Sequence, residues 1–121
     1  MESKKTLVVG ASQNPARYAY KAIHKLRYYN HPVVAIGLRE GLVDDVKIEA
    51  GKPEFKDVDT VTMYVGKDNQ KSLEDYILSL NPKRIIFNPG AENAELAKKA
   101  EAKGIECVEA CTLVMLTIGA Y

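Results

Sequence analysis

The chain has no tryptophan, only two phenylalanines and two histidines among its 121 residues, and only two cysteines, Cys107 and Cys111. Those cysteines stand at i and i+4 with no Cys-x-x-Cys pattern and no histidine nearby in sequence, so metal ligation has no support. They read as two reduced, partly buried thiols at a strand end. Neither sign of charge is in excess: Lys and Arg number 17 against 16 for Asp and Glu, a net charge of +1. A broad basic face for nucleic acid or an anionic membrane is therefore not expected. The longest apolar stretch, "CTLVMLTIGAY", falls far short of the roughly 20 residues a spanning helix needs, and "MESKK" does not read as a signal peptide. A soluble, cytoplasmic protein with no membrane partner is expected.

What is present suffices for one core. With 46% of the residues hydrophobic, a chain of this length can bury a single domain of ordinary size, residues 1–121. Five apolar runs recur: "TLVVG" at 6–10, "PVVAIG" at 32–37, "TVTMYV" at 60–65, "RIIFN" at 84–88 and "IECVEA" at 105–110. Several are continuous rather than alternating, as suits strands covered on both faces of a parallel sheet. Helical patterns separate them. Asn14 caps the first, Pro15 takes its N1 position, and Ala19, Ala22, Ile23 and Leu26 form its buried stripe. A second helix is predicted over 71–80, with Leu73, Ile77 and Leu80 inward and Asn81-Pro82 as its stop. A third runs over 91–103, with Leu96 and Ala100 inward and Gly104 as its C-cap. Residues 38–59 break the rhythm, apart from a short edge strand near 46–49. This alternation predicts an α/β fold: a three-layer open parallel sheet of about five strands with helices on both faces.

In such sheets ligands lie beyond the carboxyl ends of the strands, where strand order reverses. The first strand-end loop, "GASQNPAR", lacks the second and third glycines of a dinucleotide fingerprint and the Lys-Ser/Thr of a Walker loop. It offers a turn glycine, Gly10, the small Ala11, the Ser12 hydroxyl, and backbone amides at a helix start that attract anions. Arg17, placed at the third helical position, would oppose the macrodipole unless an anion were bound there. After the second strand, Gly37, Leu38 and Arg39 replace the acid that holds the ribose of NAD, and an arginine suits a ribose phosphate. Two adenosine cofactors carry one: NADP and coenzyme A. Tyr64, Val65 and Gly66 end the third strand with an apolar wall fit for adenine, and Asn88-Pro89-Gly90 makes a tight turn after the fourth.

The chain resembles the small bacterial single-domain CoA-binding proteins, similar in fold to the CoA-binding domain of the succinyl-CoA synthetase alpha subunit. The resemblance covers residues 5 to 111 and is most specific in Gly10, Ala11, Ser12, Pro15 and Arg17, with Tyr20 beyond. It implies a Rossmann-like domain in which Gly10, Ala11, Ser12 and the helix start at Asn14, Pro15 and Arg17 face the CoA diphosphate. Arg39, following Gly37, would approach the adenosine phosphate, and Tyr64, Val65 and Gly66 would border the adenine. Asn88 and Gly90 match the family's polar residue and glycine after the fourth strand, and Glu109 and Cys111 its acid-x-Cys. The chain departs from its relatives at Gly37-Leu38, where Asn-Pro is common, at Ala19, at Gly66 and in its apolar tail. That tail either packs as a short helix on the sheet or forms a homodimer contact.

A triad or general base has no candidate, because neither His24 nor His31 falls on a strand-end loop; Cys111, near the strand ends, is left as a minor candidate nucleophile or CoA disulfide partner. The expected function is therefore a non-catalytic module holding CoA or acyl-CoA, a nucleotide cofactor being the expected partner. The alternatives are an NADP-type redox protein or a ligand-free subunit-interaction domain.

Overall fold

The apolar runs form strands whose successive side chains enter opposite layers, as the two-residue repeat of a strand requires. In the computed structural model, which describes residues 2–121, β1 spans Thr6–Val9 and is buried throughout. Its Leu7 and Val9 join one core with Ile77, Leu78, Leu96 and Ala100. Val8 joins another with Ala19, Ile23, Leu26 and Leu116. The remaining strands are β2 (Val33–Ile36), β3 (Gly41–Val43), β4 (Val46–Glu49), β5 (Thr60–Met63), β6 (Arg84–Phe87) and β7 (Glu106–Glu109). Helices α1 (Tyr18–Tyr28) and α5 (Thr112–Thr117) cover one face. The short α2 (Lys67–Gln70), continued by a 3-10 turn into α3 (Glu74–Ser79), and α4 (Ala94–Ala102) belong to the other side.

The sheet has seven strands in the order β3-β4-β2-β1-β5-β6-β7, not about five. Only β3 is antiparallel. The two additional strands come from the irregular stretch after β2. The strand expected near 46–49 is β4, but it pairs with β2 on one side and β3 on the other, so β3 forms the edge. Asp44 takes a left-handed φ of 52° and turns the hairpin without a glycine, a conformation its short polar side chain tolerates. Counting only the parallel strands, the order is 3-2-1-4-5-6, that of a Rossmann sheet with its reversal between β1 and β5.

Helix α1 corrects the expected start at Pro15. Asn14 Oδ1 accepts the Ala16 N–H at 3.0 Å and the Asn14 carbonyl accepts the Arg17 N–H at 3.0 Å. Asn14 and Pro15 therefore build a separate turn, Pro15 supplying the φ that a turn needs at its second position. Arg17 remains extended, at φ −83° and ψ 141°, and occupies the N-cap. It precedes the first helical turn instead of standing in it. The predicted second helix begins earlier, at Lys67, and is broken by the 3-10 turn. The third begins later, at Ala94, because Asn93 caps it by accepting the Leu96 N–H at 3.2 Å.

The apolar tail packs inward: α5 lies against α1, and Leu116 and Tyr121 are buried. Tyr121 Oη shares a hydrogen bond with Thr6 Oγ1 at 2.6 Å, and the Arg84 guanidinium stacks on its ring with its central carbon 4.5 Å from the centroid. Among the described residues, no helix is long and apolar enough to cross a membrane.

His31, wholly buried beside Tyr121, accepts the Lys4 backbone N–H on Nδ1 at 2.9 Å. Burial, then the charges of Lys4 and Arg84, hold its pKa below the ordinary value of 6.5. The unfolded chain takes up that proton first, so stability is full above pH 6.5 and falls as pH drops from there toward the folded-state pKa. Urea midpoints measured between about pH 7.5 and about pH 5 should decline for the wild type and decline less for His31→Asn, whose amide oxygen can still accept from Lys4. Parallel pH dependences would remove His31 as the cause.

Candidate functional site

At the reversal between β1 and β5, backbone replaces side chain as the packing surface. Gly10 has φ +89°, and a Cβ there would stand 2.7 Å from Val65 Cγ2 and 3.2 Å from the Tyr64 carbonyl group. A side chain is excluded by both conformation and space. The Gly10 and Ala11 N–H groups both donate to the Ile36 carbonyl, at 3.0 and 2.9 Å. Gly37 is squeezed in turn: its Cβ would meet the Ala11 carbonyl oxygen at 2.4 Å. The ends of β1, β2 and β5 are thus brought into direct contact, and with them Gly10, Ala11, Gly37, Tyr64 and Val65.

The rest of the first loop faces outward. Ser12 Oγ accepts the Asn14 N–H at 3.1 Å, and Asn14, Pro15 and Arg17 are exposed. Arg39 is exposed beside Leu38, whose side chain is fully in solvent. The ion pairs among the described residues join His24 to Asp44, Arg27 to Asp45 and Lys99 to Glu74. Arg17 and Arg39 take part in none of them.

Alternation along β5 divides the third loop. Tyr64 follows Thr62 onto the α5 side, where its ring packs against the core and burial raises its phenol pKa. Thr62 and Thr112 share a hydrogen bond of 2.8 Å beside it. Val65 packs on the opposite core and Gly66 is exposed, with nothing within 4 Å of an added Cβ. The open part of this border is therefore made by Val65 and Gly66. Asn88 lies beneath the surface, 2% exposed. Its Nδ2 donates to Thr62 Oγ1 at 2.7 Å and to the Met63 carbonyl at 2.9 Å, while Oδ1 accepts the Thr112 N–H at 2.9 Å. It ties β5, β6 and α5 together. Gly90, at φ +91° with open space around it, donates to Glu92.

The sequence reading missed three contributors. Gln13 reaches the edge strand, where Oε1 accepts the Leu42 N–H at 3.0 Å. Gln70 Nε2 donates to the Val65 and Ala91 carbonyls, both at 2.7 Å, bridging the third and fourth loops. Asn93 donates in turn to Gln70 and Glu74, and Lys99 pairs with Glu74 at 2.9 Å. Only Asn93 had a sequence signal, as a cap residue three before Leu96.

The cysteines separate. Cys107 lies inside β7 opposite Ile85, its thiol pushed up to about 11 by burial and by Glu101 and Glu106. Cys111 is the half-buried N-cap of α5. Of the histidines, His24 is held by Asp44 at 2.8 Å on the outer side of α1. Two concavities also lie elsewhere: one of 610 Å³ among Lys52, Phe55, Tyr76 and Leu80, and one of 450 Å³ between Tyr20, His24, Tyr28 and Leu113. Strand topology and the glycine contacts, not cavity volume, single out the strand ends.

The fold and this crossing of loops define an α/β domain with a Rossmann-like sheet. The CoA binding domain family model matches residues 4–117, and the chain belongs to that family. A crystal structure described as an uncharacterized protein is similar over 100% of both chains, with 45% identity and a TM-score of 0.97. A Thermus thermophilus protein shares the fold at 19% identity and a TM-score of 0.85, over 98% of this chain and 91% of its own. A hypothetical protein from Pyrococcus horikoshii does so at 22% identity and 0.82, over 93% and 80%. No curated protein matches the chain.

Proposed function

We propose that the domain binds coenzyme A or an acyl-CoA at the carboxyl ends of β1, β2 and β5, and that it acts without catalysing a reaction. The observation that carries this reading is the convergence of the first loop and the Arg39 segment, through Ala11 and Gly37, at the strand-order reversal of a chain in the CoA binding domain family. The residues fit the group. CoA brings two separated phosphate centres, and the site offers Arg17 and Arg39, both exposed and neither in an ion pair with the described residues. Its adenine is apolar on both faces, and Leu38 and Val65 offer apolar surface.

In this reading Gly10, Ala11, Ser12 and the turn at Asn14 and Pro15 border the diphosphate: Gly10 and Ala11, whose N–H groups are spent on the Ile36 carbonyl, set the course of the loop and leave the phosphate contacts to Ser12 and the turn. Arg17 adds charge at the helix entry. Arg39 takes the 3′-phosphate by charge-assisted hydrogen bonds. Val65 and Gly66 border the adenine while Tyr64 stiffens the strand end from within. Asn88 and Gly90 hold and clear the fourth loop, and the bound thioester arm is the chemistry the cofactor would supply to a partner. The tail's outward residues Val114 and Ile118 remain free for a homodimer contact.

Thermal shift compares the candidate cofactors directly. At a concentration about a hundredfold above Kd a ligand adds ~2.7 kcal/mol to folding stability. CoA should raise Tm by several degrees where NADPH and NAD do not; a rise with NADPH and none with CoA would transfer the site to a dinucleotide.

A further inference from the structure

Residues 37–42 form an arch with Leu38 and Arg39 exposed on it, and both feet of that arch stand on the first loop. At one foot, a Cβ on Gly37 would meet the Ala11 carbonyl oxygen at 2.4 Å. At the other, a Cβ on Gly41 would meet Gln13 Cδ at 2.3 Å, Nε2 at 2.4 Å and Cγ at 2.7 Å. Gln13 Oε1 accepts the Leu42 N–H at 3.0 Å on the edge strand of the sheet. The two feet differ in kind: the first is backbone on backbone, the second is a flexible side chain laid over a glycine.

From this geometry we infer that Gln13 is a positioning residue, a latch that fixes the Arg39 arch against the first loop and so sets how strongly the site prefers a 3′-phosphorylated nucleotide. The inference rests on the CoA reading above and deepens it. Gln13 itself touches no phosphate in this account; it acts through Arg39. Without the latch, the Arg39 segment is tied to the first loop only at Gly37, its other end kept by the β3–β4 pairing alone, and ordering it again on binding costs affinity for the group it contacts. The diphosphate loop, which Gly10 and Ala11 hold to Ile36 independently, keeps its share.

Two substitutions open the latch from opposite sides. Gln13→Ala removes the side chain, and Gly41→Ala, whose backbone has no left-handed φ, displaces the same side chain with a methyl. Amide exchange at Leu42 in the ligand-free protein reads the latch. Calorimetry with CoA and 3′-dephospho-CoA reads its consequence. Leu42 should be protected in the wild type and exchange about tenfold faster in either variant. The preference for CoA over 3′-dephospho-CoA should drop about three- to tenfold in each, as for loss of one hydrogen bond, and no further in the double variant. Unchanged Leu42 exchange, equal losses for both ligands, or additive losses in the double variant would overturn the latch. If the wild type takes up no CoA, the site reading fails, and Leu42 exchange still decides whether the latch exists.

Discussion

Gly37→Ala is expected to lower unfolding stability by ~2–3 kcal/mol and to weaken CoA binding at the same time. The added methyl would stand 2.4 Å from the Ala11 carbonyl oxygen and 3.1 Å from Ile48 Cγ2. Neither neighbour can swing aside. Ala11 is pinned by its N–H bond to Ile36 at 2.9 Å, and Gly37 itself donates to the Glu49 carbonyl at 3.0 Å. Relief must come from pushing the first loop off the end of β2, which separates the two segments assigned to the diphosphate and the 3′-phosphate. Urea titration should show a lower midpoint with an unchanged slope. CoA affinity should fall at least about tenfold, because loosened binding groups must be ordered again when the ligand arrives. Gly66→Ala is the control, at the same crevice but with nothing within 4 Å of its new methyl. If both substitutions cost the same stability, close approach is not why residue 37 is glycine.

Arg39→Ala should leave stability nearly unchanged, since the side chain is exposed and joins no ion pair among the described residues. Its effect belongs to binding. A charge-assisted hydrogen-bonded contact is worth about 1.5–3 kcal/mol, or about 10- to 100-fold in affinity for CoA. For 3′-dephospho-CoA the loss should be under about threefold, because only long-range attraction to the diphosphate disappears. Calorimetry with both ligands at one salt concentration separates the two. Equal loss for both would place Arg39 away from the 3′-phosphate.

The five apolar runs were legible, most plainly in β1, β5 and β6, whose burial on both faces demands continuous apolar sequence, and each became a strand within a residue or two of its expected ends. The hairpin of β3 and β4 was harder to read. Its strands are three and four residues long, and its turn uses Asp44 in a left-handed conformation instead of Asn-Gly or Asp-Gly. The helix start was misplaced because Asn-Pro serves equally as cap plus N1 or as a turn, and the local sequence does not choose. In the fold, the first loop reaches as far as β3, where Gln13 holds Leu42, before α1 begins at Tyr18.

At the site, Gly10 and Gly37 were recognised as residues of interest, but their partners Val65 and Ala11 became known only from the packed strand ends. Tyr64 could have been read more closely: period-two alternation from Thr62 already turns it toward α5. Gln13 gave no signal of its own. The signal was Gly41, a glycine without a positive φ whose missing Cβ makes room for that side chain.

CoA is proposed to occupy the carboxyl ends of β1, β2 and β5. Amide chemical-shift mapping during titration with CoA tests it most directly. Saturable changes are expected, concentrated in residues 10–17, 38–42 and 64–66, with little change around Tyr76 and Phe55 or between α1 and α5. Changes centred on either of those two concavities, or none at ligand concentrations on the order of millimolar, would contradict it.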